Sequence, residues 1–451
     1  MSQCMPVVTW AVRREDRFDL PMVCGLSTGQ GQVVSMGNSV FLKRVVLKNY
    51  KSIAECSVNL GPLTFLVGPN GAGKSNFLDA LRLVAESLHG SLEHSLRERG
   101  GIGEVRRRSK GTAGRPTHFG VRLEFNLGDN VSGHYAFRVG ALSRGGFEVQ
   151  REECKLQREE CQLWSEQSAF AECFYTAESG KVIDASAKVM PPASPDRLLL
   201  VAAAGLAEFR PLYDALSRMG FYNLNPDEIK DLQPSDTGEV LQRDGRNLAS
   251  VLNALGRDNP NARNRVVEFL SKVVPGIEDV TIKHVGKKET LEFHQRVHAD
   301  SGTWKFLAEN MSDGTLRALG VLTALFQSTN GGAKRVPLVG IEEPEMAVHP
   351  GAAGVLGDAL RTAAHMTQVI VTSHSPDLLD DKDVSDDWVL AVVSENGESK
   401  IGPLNEADRS LMRDRLFTAG ELLKQGQLTP DLEVIRQTPP KQLELFGRPD
   451  A

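Results

Sequence analysis

The sequence predicts an α/β protein with a parallel sheet that is split by a long insertion. Three observations predict this fold class. A glycine-rich turn joins a short apolar strand to a helix between residues 61 and 88, and strand and helix patterns alternate again over residues 313–372. Residues 129–299 separate these two stretches and mix strand patterns with helix breakers. Alternation of strands and helices at both ends of a chain is typical of a parallel sheet assembled from two halves.

The composition narrows the class of protein. Apolar residues make up 41% of the 451 residues and charged residues 24%, which is ordinary for a globular protein. Because 58 acidic residues outnumber 52 basic ones, we expect any contact with DNA to be indirect or confined to a local patch. Six cysteines without a Cys-x-x-Cys pair argue against a disulfide scaffold or a zinc ribbon. The apolar run Leu198–Ala207 is about half the length of a membrane-spanning helix, so we expect a cytoplasmic protein without membrane contact.

The first half of the sheet is predicted to lie in residues 39–128. Residues 40–48 are rich in β-branched side chains and predict a strand, and Leu63–Val67 predicts a short buried one. Apolar residues then recur at helical spacing from Asn76 to Leu88. Residues 1–38 show little periodicity, so we interpret them as an N-terminal extension, either a flexible arm or the result of a start codon assigned too far upstream.

The glycine-rich turn Gly68–Ser75 fits the G-x-x-x-x-G-K-[ST] pattern at every position, in the strand-to-helix context that the pattern needs. Such a turn aims backbone N–H groups at phosphate oxygens, and the following helix adds its positive N-terminal end. Lys74 is expected to reach the β- and γ-phosphates of ATP, and the Ser75 hydroxyl to bind Mg²⁺. The alternative is a glycine-rich turn without a ligand. The predicted ATP-binding residues here are Asn70, Gly71, Ala72, Gly73, Lys74, Ser75 and Asn76.

Two later strand ends carry residues that would complete the site. The apolar strand 336–341 ends in Glu342 and Glu343, and two buried carboxylates need a cation or a proton beside them. We assign Glu342 to Mg²⁺, directly or through water, and Glu343 to the catalytic base that polarises the attacking water. A further strand, 368–372, is followed by His374, which we assign to the γ-phosphate and the water. The alternatives are a solvated acidic helix cap and a structural histidine.

The middle of the chain, residues 129–299, is predicted to form a compact inserted α+β lid domain. Strong alternation over residues 117–149 predicts strands, and residues 278–296 predict strand again. A seven-residue echo, Gln-Arg-Glu-Glu-Cys-x-Leu, occurs twice in residues 150–163. Two copies are too few for a coiled coil, so we expect the echo in a surface hairpin or a short helix.

A second anion site is predicted at the start of the helix over residues 313–328. Ser312 offers a hydroxyl there and Gly314 an unhindered backbone N–H. Alone, this pattern indicates only a helix cap. It becomes meaningful through its order in the chain, because it follows the phosphate loop and precedes the two glutamates and the histidine.

The residues of these motifs and their order in the chain resemble those of the ABC-type ATPase heads of the RecF/SMC/OLD group, in particular the stand-alone predicted ATPases of bacteria. The resemblance covers roughly residues 40–128 and 300–400. The matching motifs are Asn49-Tyr-Lys-Ser52, Gly68–Asn76, Ser312–Arg317, Ile341–Glu345 with His349-Pro350, and Thr372–Pro376.

The resemblance implies a P-loop NTPase head of the ABC type, with its second half in residues 300–400 and a C-terminal helix and tail in residues 401–451. It also implies a homodimer in which ATP lies between the phosphate loop of one head and Ser312 and Gly314 of the other. By the same carry-over, Lys51 would lie near the nucleotide. Glu342 stands where the group usually has aspartate, which leaves the Mg²⁺ geometry less defined.

We predict that the protein binds and hydrolyses ATP as a dimer. We further predict that this dimer acts in DNA repair, recombination or antiviral defence, where it gates a DNA-associated partner such as a nuclease subunit. Two alternatives remain. A transporter subunit would usually carry Ser-Gly-Gly-Gln where this chain has Ser-Asp-Gly-Thr at residues 312–315. A nucleotide-sensing scaffold would bind ATP with little turnover.

The C-terminal tail carries a separate motif. Pro439-Pro440 precedes Gln442–Phe446, Gln-Leu-Glu-Leu-Phe, which resembles the pentapeptide by which bacterial replication and repair proteins dock on the sliding clamp. A proline pair before a short amphipathic peptide predicts an exposed tether. The alternative is that Leu443, Leu445 and Phe446 pack on the chain's own core.

Overall fold

The computed structural model describes residues 40–108, 116–128, 131–158, 172–297, 302–327, 336–437 and 444–446, so the predicted N-terminal extension lies outside the described residues. The strands are β1 (Leu42–Tyr50), β2 (Ile53–Asn59), β3 (Leu63–Val67), β4 (His118–Asn126), β5 (Val131–Ala141), β6 (Phe147–Arg158), β7 (Glu172–Glu178), β8 (Lys181–Ala185), β9 (Gly220–Tyr222), β10 (Gln233–Pro234), β11 (Ile277–Val285), β12 (Lys288–Arg296), β13 (Thr303–Leu307), β14 (Leu338–Glu342), β15 (Gln368–Ser373), β16 (Val389–Glu395) and β17 (Glu398–Pro403).

Helices lie between these strands. They are α1 (Lys74–His89), α2 (Leu92–Arg97), α3 (Ile102–Val105), α4 (Leu199–Ala203), α5 (Arg210–Ser217), α6 (Pro226–Lys230), α7 (Leu248–Asp258), α8 (Pro260–Val273), α9 (Asp313–Phe326), α10 (Ala353–Ala364), α11 (Pro376–Leu379), α12 (Glu406–Arg413), α13 (Ala419–Lys424) and α14 (Leu432–Gln437). Within the described part of the chain, none of them is both long and apolar enough to cross a membrane.

A six-stranded sheet in the order β17-β16-β3-β15-β14-β9 forms the centre of the fold. Every neighbouring pair is parallel except the β16–β17 hairpin, which is antiparallel. The predicted parallel α/β sheet is therefore confirmed. Its two halves are far apart in the chain, since β3 pairs only with β15 and β16.

The central sheet separates two hydrophobic cores, and successive side chains of β3 point alternately into one core and the other. Leu66 faces the core that contains α1 and the inner face of a seven-stranded sheet, whereas Phe65 and Val67 face the core that contains α8, α9 and α10. All five side chains of β3 are buried. A strand that is buried on both faces has a continuous run of apolar residues. For this reason β3 could be predicted from the sequence.

The seven-stranded sheet has the order β2-β1-β4-β5-β6-β7-β8 and is antiparallel throughout. One face is apolar and packed on α1, and the other is largely polar. The first copy of the seven-residue echo, residues 150–156, lies inside β6 between β5 and β7. The expectation of a short helix is therefore wrong for this copy, which lies in the second strand of the β5–β6 hairpin and also pairs with β7. Most of the second copy lies outside the described residues.

Strands from the predicted lid, residues 129–299, take part in several sheets. β5 to β8 continue the sheet begun by β1 and β4, and β9 forms the edge of the central sheet. A third sheet, β10-β12-β11 with β13 beside β12, packs on α7 and α8. The division into head halves and lid stays a prediction, and hydrogen-bonded strands lie on both sides of its first boundary.

Candidate nucleotide site

The parallel strands bring the predicted site residues to one edge of the central sheet. β3 ends at the phosphate loop, β15 ends next to His374, and β14 ends at Glu342. Because these strands are neighbours and run in the same direction, their carboxyl ends lie together. Residues separated by about 300 positions in the sequence therefore share one site.

The phosphate loop has the geometry of an anion cradle. Gly73 precedes α1 with a φ of 108°, a left-handed value that glycine adopts without strain. Asn70, Gly71 and Ser75 are exposed at the loop surface, whereas Ala72 and Lys74 are buried. The exposed rim can receive phosphate oxygens, as the sequence predicts.

Lys74 is held inside the loop. Its Nζ donates to the carbonyl oxygens of Gly68 at 2.7 Å and Pro69 at 3.1 Å. Burial lowers the pKa of Lys74, and the carboxylates of Glu343 and Glu345 oppose that shift. The ammonium group of Lys74 therefore interacts electrostatically with the carboxylates after β14.

Side-chain hydrogen bonds join the phosphate loop and the start of α1 to the turn between β1 and β2 and to β17. The Asn76 amide donates to Ser52 Oγ at 2.7 Å, and Ser52 Oγ lies 2.6 Å from Ser399 Oγ. Ser399 donates its proton to the carbonyl of Ala72 at 2.6 Å, so the proton between the two serines comes from Ser52. Asn76 and Ser52 belong to motifs that the sequence shows, whereas Ser399 on β17 belongs to none of them.

Glu343 and His374 face each other at the end of the central sheet. Glu343 Oε1 lies 3.3 Å from His374 Nδ1, and the Glu343 N–H donates to the carbonyl of Thr372 at 3.0 Å. Glu343 has a φ of 45°, which is uncommon for a residue with a side chain. Backbone strain of this kind is found where a fold fixes a functional side chain. The structure thus brings together the predicted base and the predicted histidine.

Glu345 holds the loop that carries His374. Its Oε1 accepts hydrogen bonds from the Ser373 hydroxyl at 2.7 Å and from the His374 N–H at 3.3 Å. Its Oε2 is buried and lacks a hydrogen-bond partner among the described residues. Glu343 therefore contacts the ring of His374 while Glu345 contacts its backbone. Glu345 belongs to the motif Ile341–Glu345, but the sequence alone assigns it no role.

The residues present fit a magnesium ion. Ser75 and Glu342 offer hard oxygen ligands, which Mg²⁺ prefers. Arg243 Nη2 lies 3.1 Å from Glu342 Oε1, so a cation already stands where the metal charge is expected. Buried Arg317 adds positive charge, and burial lowers its pKa while Glu343, Glu345 and Glu342 oppose that shift. Arg243 could not be predicted from the sequence, because residues 233–247 contain no motif of a nucleotide site.

Ser312 and Gly314 begin α9. Ser312 Oγ caps the helix by accepting from the Thr315 N–H at 3.2 Å, and Ser312 is exposed. A Cβ on Gly314 would lie 2.1 Å from the carbonyl oxygen of Ala347, so the loop after β14 packs directly against this glycine. Asp313 between them pairs with Lys230. The cap that the sequence predicts is present, and its role toward a second head remains a prediction.

Lys51 is bound to α1 and not to the phosphate loop. Its Nζ lies 2.5 Å from Asp79 Oδ2, and Asp79 also accepts from the Tyr50 hydroxyl at 2.8 Å. Burial alone would raise the pKa of Asp79, but Arg99, Arg82 and Lys51 outweigh it and hold that pKa well below its usual range. The carry-over that placed Lys51 beside the nucleotide therefore stays a prediction.

The C-terminal tail does not match the expected exposed tether. Leu445 is buried, and its side chain packs over Gly120 of β4. Phe446 stacks against Arg151 of β6. The expectation is wrong for these two residues, and the alternative of packing on the chain's own sheet holds for them, because an apolar side chain gains by leaving water. Gln442 and Leu443 of the clamp-like motif lie outside the described residues.

Comparison with protein families gives one match that covers most of the chain. A family model described as "AAA domain, putative AbiEii toxin, Type IV TA system" matches residues 63–380. This range begins at β3 with the phosphate loop and ends just beyond His374. It therefore includes each of the three strand ends that meet at the site.

Curated relatives match only a short part of the chain. An OLD nuclease of Thermus scotoductus is 47% identical over 51 residues, which are 11% of this chain and 10% of that protein. A chromosome partition protein Smc of Halothermothrix orenii is 48% identical over 59 residues, 12% of this chain and 5% of that protein. The chain thus matches a tenth or less of the length of these two relatives.

Solved structures are similar over a much larger part. An Smc head bound to the C-winged helix domain of ScpA has a TM-score of 0.51 at 14% identity, covering 82% of this chain and 99% of that one. An Smc head with an extended coiled coil from Pyrococcus furiosus, bound to the C-terminal domain of ScpA, has a TM-score of 0.51 at 11% identity, covering 83% and 99%. At these identities the likeness establishes the fold, which is that of a P-loop ATPase head.

Proposed function

The chain belongs to the AAA-domain family whose model covers residues 63–380, and on this premise we propose that it binds ATP with Mg²⁺, hydrolyses it and dimerises around it. It is an ATPase of the SMC/OLD/AAA type by family and fold. One observation carries the step from family to hydrolysis. Glu343 and His374, which stand 3.3 Å apart, share a sheet edge with the phosphate loop.

The proposed roles follow from the contacts at this edge. The loop N–H groups and Lys74 bind the phosphates, and Lys74 leaves the carbonyls of Gly68 and Pro69 for the phosphate oxygens. Ser75 and Glu342 hold Mg²⁺, which would neutralise charge on the phosphates when bound. Because Arg243 pairs with Glu342, metal binding either displaces this arginine or uses a water between ion and carboxylate.

Glu343 is proposed as the base in the hydrolytic step. Its carboxylate accepts a proton from water as the water oxygen attacks the γ-phosphorus, and the bond to the β–γ bridging oxygen breaks to release ADP. His374 orients that carboxylate from one side, since its ring contacts Glu343. Glu345 fixes the backbone of His374 and keeps the ring in place.

A role beyond hydrolysis is suggested by the relatives. The matched parts belong to an OLD nuclease and to chromosome partition proteins, so we propose that the ATP cycle controls a partner that acts on DNA, in repair, recombination or defence against phage. The net charge of −6 favours an indirect contact with DNA, through a nuclease or another partner subunit.

Two substitutions test the ATPase. Lys74→Ala should abolish binding of a fluorescent ATP analogue, because the charge on the β- and γ-phosphates is lost. Glu343→Gln should keep the parental affinity within about threefold and lower kcat by at least about 100-fold, the scale of general base catalysis. Lys272→Ala and Glu268→Gln on the exposed side of α8 are the matched controls and should behave like the parent.

The outcomes separate the alternatives. Parental turnover in Glu343→Gln would show that the base is another residue. A parent that binds ATP without measurable turnover, with and without DNA, would favour the nucleotide-sensing scaffold.

A further inference from the structure

The outer face of the seven-stranded sheet carries a small depression, and the C-terminal tail fills it. We call it the tail notch and define it by Gly120 on β4, Arg122 on β4, Arg138 on β5 and Arg151 on β6. Gly120 pairs with Arg138 across the sheet, and Arg138 pairs with Arg151. These three residues therefore form one row across three neighbouring strands, and Arg122 lies two residues along on the same face.

Gly120 provides the floor of the tail notch. A Cβ at this position would lie 2.2 Å from Leu445 Cδ1, so the leucine occupies the space that any other side chain would take. Leu445 is 6% exposed, although a polar sheet face surrounds it. The fit depends on glycine because of this close approach.

The three arginines contact the main chain of Leu445 and the ring of Phe446. Arg122 Nη1 donates to the carbonyl oxygen of Leu445 at 3.0 Å. The Arg151 guanidinium lies 4.7 Å from the centre of the Phe446 ring and that of Arg138 lies 5.9 Å away, both within cation–π range. Folded surfaces commonly recognise a short peptide through a few side-chain sites and a hydrogen bond to its main chain. The tail notch has a site for leucine, a site for an aromatic ring and one such hydrogen bond.

The contact is separate from the hydrophobic cores. The inner face of these strands is completed by residues such as Phe119, Val121 and Phe137, which belong to the core around α1. On the outer face, the neighbours are polar pairs such as Arg44 with Glu124 and His134 with Glu153. One buried leucine and one stacked ring favour the docked tail by roughly 100- to 1000-fold, so docking is readily reversible.

We propose that the tail notch is a reversible docking site for a Leu-Phe peptide, that the chain's own tail is its occupant, and that the same peptide supplied separately competes with the tail for this site. The inference does not depend on the ATPase, and every measurement below is made without nucleotide.

A peptide titration tests the proposal with full-length protein. The Leu445→Ala/Phe446→Ala chain has an open notch, and a fluorescein-labelled synthetic peptide of residues 438–451 should bind it with a Kd of about 1–100 μM, the regime of a few buried anchors. The parental chain should bind at least about tenfold more weakly, because its own tail competes. Adding Gly120→Ala to the double variant should abolish binding. Gly103→Ala in α3, where a Cβ meets nothing within 4 Å, is the matched control and should leave binding unchanged.

The proposal is overturned if the folded double variant does not bind the peptide at about 1 mM, or if Gly120→Ala does not weaken binding. Should the double variant fail to fold, hydrogen exchange of the parental chain decides. Gly120→Ala alone should speed exchange at the Leu445 and Phe446 amides by at least about tenfold relative to Gly103→Ala, and equal exchange in the two variants would contradict a specific seat for the tail.

Discussion

At the scale of single residues, Glu345 connects the acidic end of β14 to the loop after β15. Its carboxylate accepts from the Ser373 hydroxyl and the His374 N–H, whereas Glu343 contacts the His374 ring. A side chain that acts through another residue changes the rate of reaction more than it changes ligand affinity. We therefore propose that Glu345 positions His374.

Replacing Glu345 tests this role. Glu345→Ala should lower kcat by about 10- to 100-fold and leave the Kd for ATP within about threefold, since a small misplacement of a reacting group is costly. Glu345→Gln keeps a carbonyl oxygen that can accept the same two hydrogen bonds, so it should recover most of the activity. If glutamine and alanine lower kcat equally, the negative charge and not the hydrogen bonding is what the site requires.

A site residue can be predicted from the sequence when the pattern that marks it is local. It cannot be predicted when its role depends on contacts with residues that are distant in the chain. Lys74 and Ser75 belong to the glycine-rich motif after a buried strand, and Glu342, Glu343 and His374 lie at or just after the ends of two more, so local pattern identifies them. The contacts of Arg243 and Ser399 are made to residues 99 and 327 positions away in the chain. Nothing in their own neighbourhoods records those contacts, and a single sequence could not have revealed them.

At the scale of elements, β6 contains a buried glutamate, Glu152, whose burial could not be predicted from the sequence. Glu152 accepts from the hydroxyls of Tyr135 at 3.0 Å and Tyr175 at 2.8 Å, and from the first N–H groups of α4, Leu199 at 2.6 Å and Leu200 at 2.9 Å. Burial raises the pKa of Glu152, and these hydrogen bonds oppose the rise. The carboxylate joins the seven-stranded sheet to α4.

Removing this carboxylate should destabilise the fold. Glu152→Ala would leave two hydroxyls and two N–H groups without their acceptor, and we expect the free energy of unfolding to fall by about 3–5 kcal/mol in a denaturant titration. Glu148→Ala, on the same strand and partly exposed, should change it by less than about 1 kcal/mol. A similar small loss in both variants would mean that water replaces the missing acceptor.

The same acid explains why residues 150–156 do not show the alternation of a half-buried strand. The buried positions 149, 152, 154 and 156 carry Val, Glu, Cys and Leu, so an acidic residue interrupts the apolar series. By contrast, β3 has the predicted bounds, and α1 and α9 start within two residues of their predicted positions. Continuous burial and helical periodicity are strong local signals, whereas a buried ionisable group is a contact between elements.

At the scale of the whole molecule, the N-terminal end of α9 is exposed and capped by Ser312. If this end covers the nucleotide of a second head, association requires ATP and stops when hydrolysis separates the phosphates. In Glu343→Gln, which should trap ATP, the mass in solution should double from 49.2 kDa when ATP is added.

Ser312→Arg in the Glu343→Gln background should keep the mass at 49.2 kDa while the Kd for ATP changes by less than about threefold, because a bulky charge blocks the interface and not the phosphate loop. Ser410→Arg on the exposed side of α12 is the control and should still dimerise. Light scattering after size exclusion measures both. ATP-dependent doubling in the Ser312→Arg protein would place the interface elsewhere.

The pairing of β3 with β15 and β16 alone has a consequence for how the protein is made. β3 and the phosphate loop leave the ribosome early, but β15 begins at Gln368 and β16 at Val389. At roughly 5–20 residues per second, the all-apolar β3 waits on the order of tens of seconds for either neighbour, with both of its hydrogen-bonding edges open. During synthesis this five-residue apolar strand can pair with other chains, and the strand ends that meet at the phosphate loop are not all present until β15 has been translated.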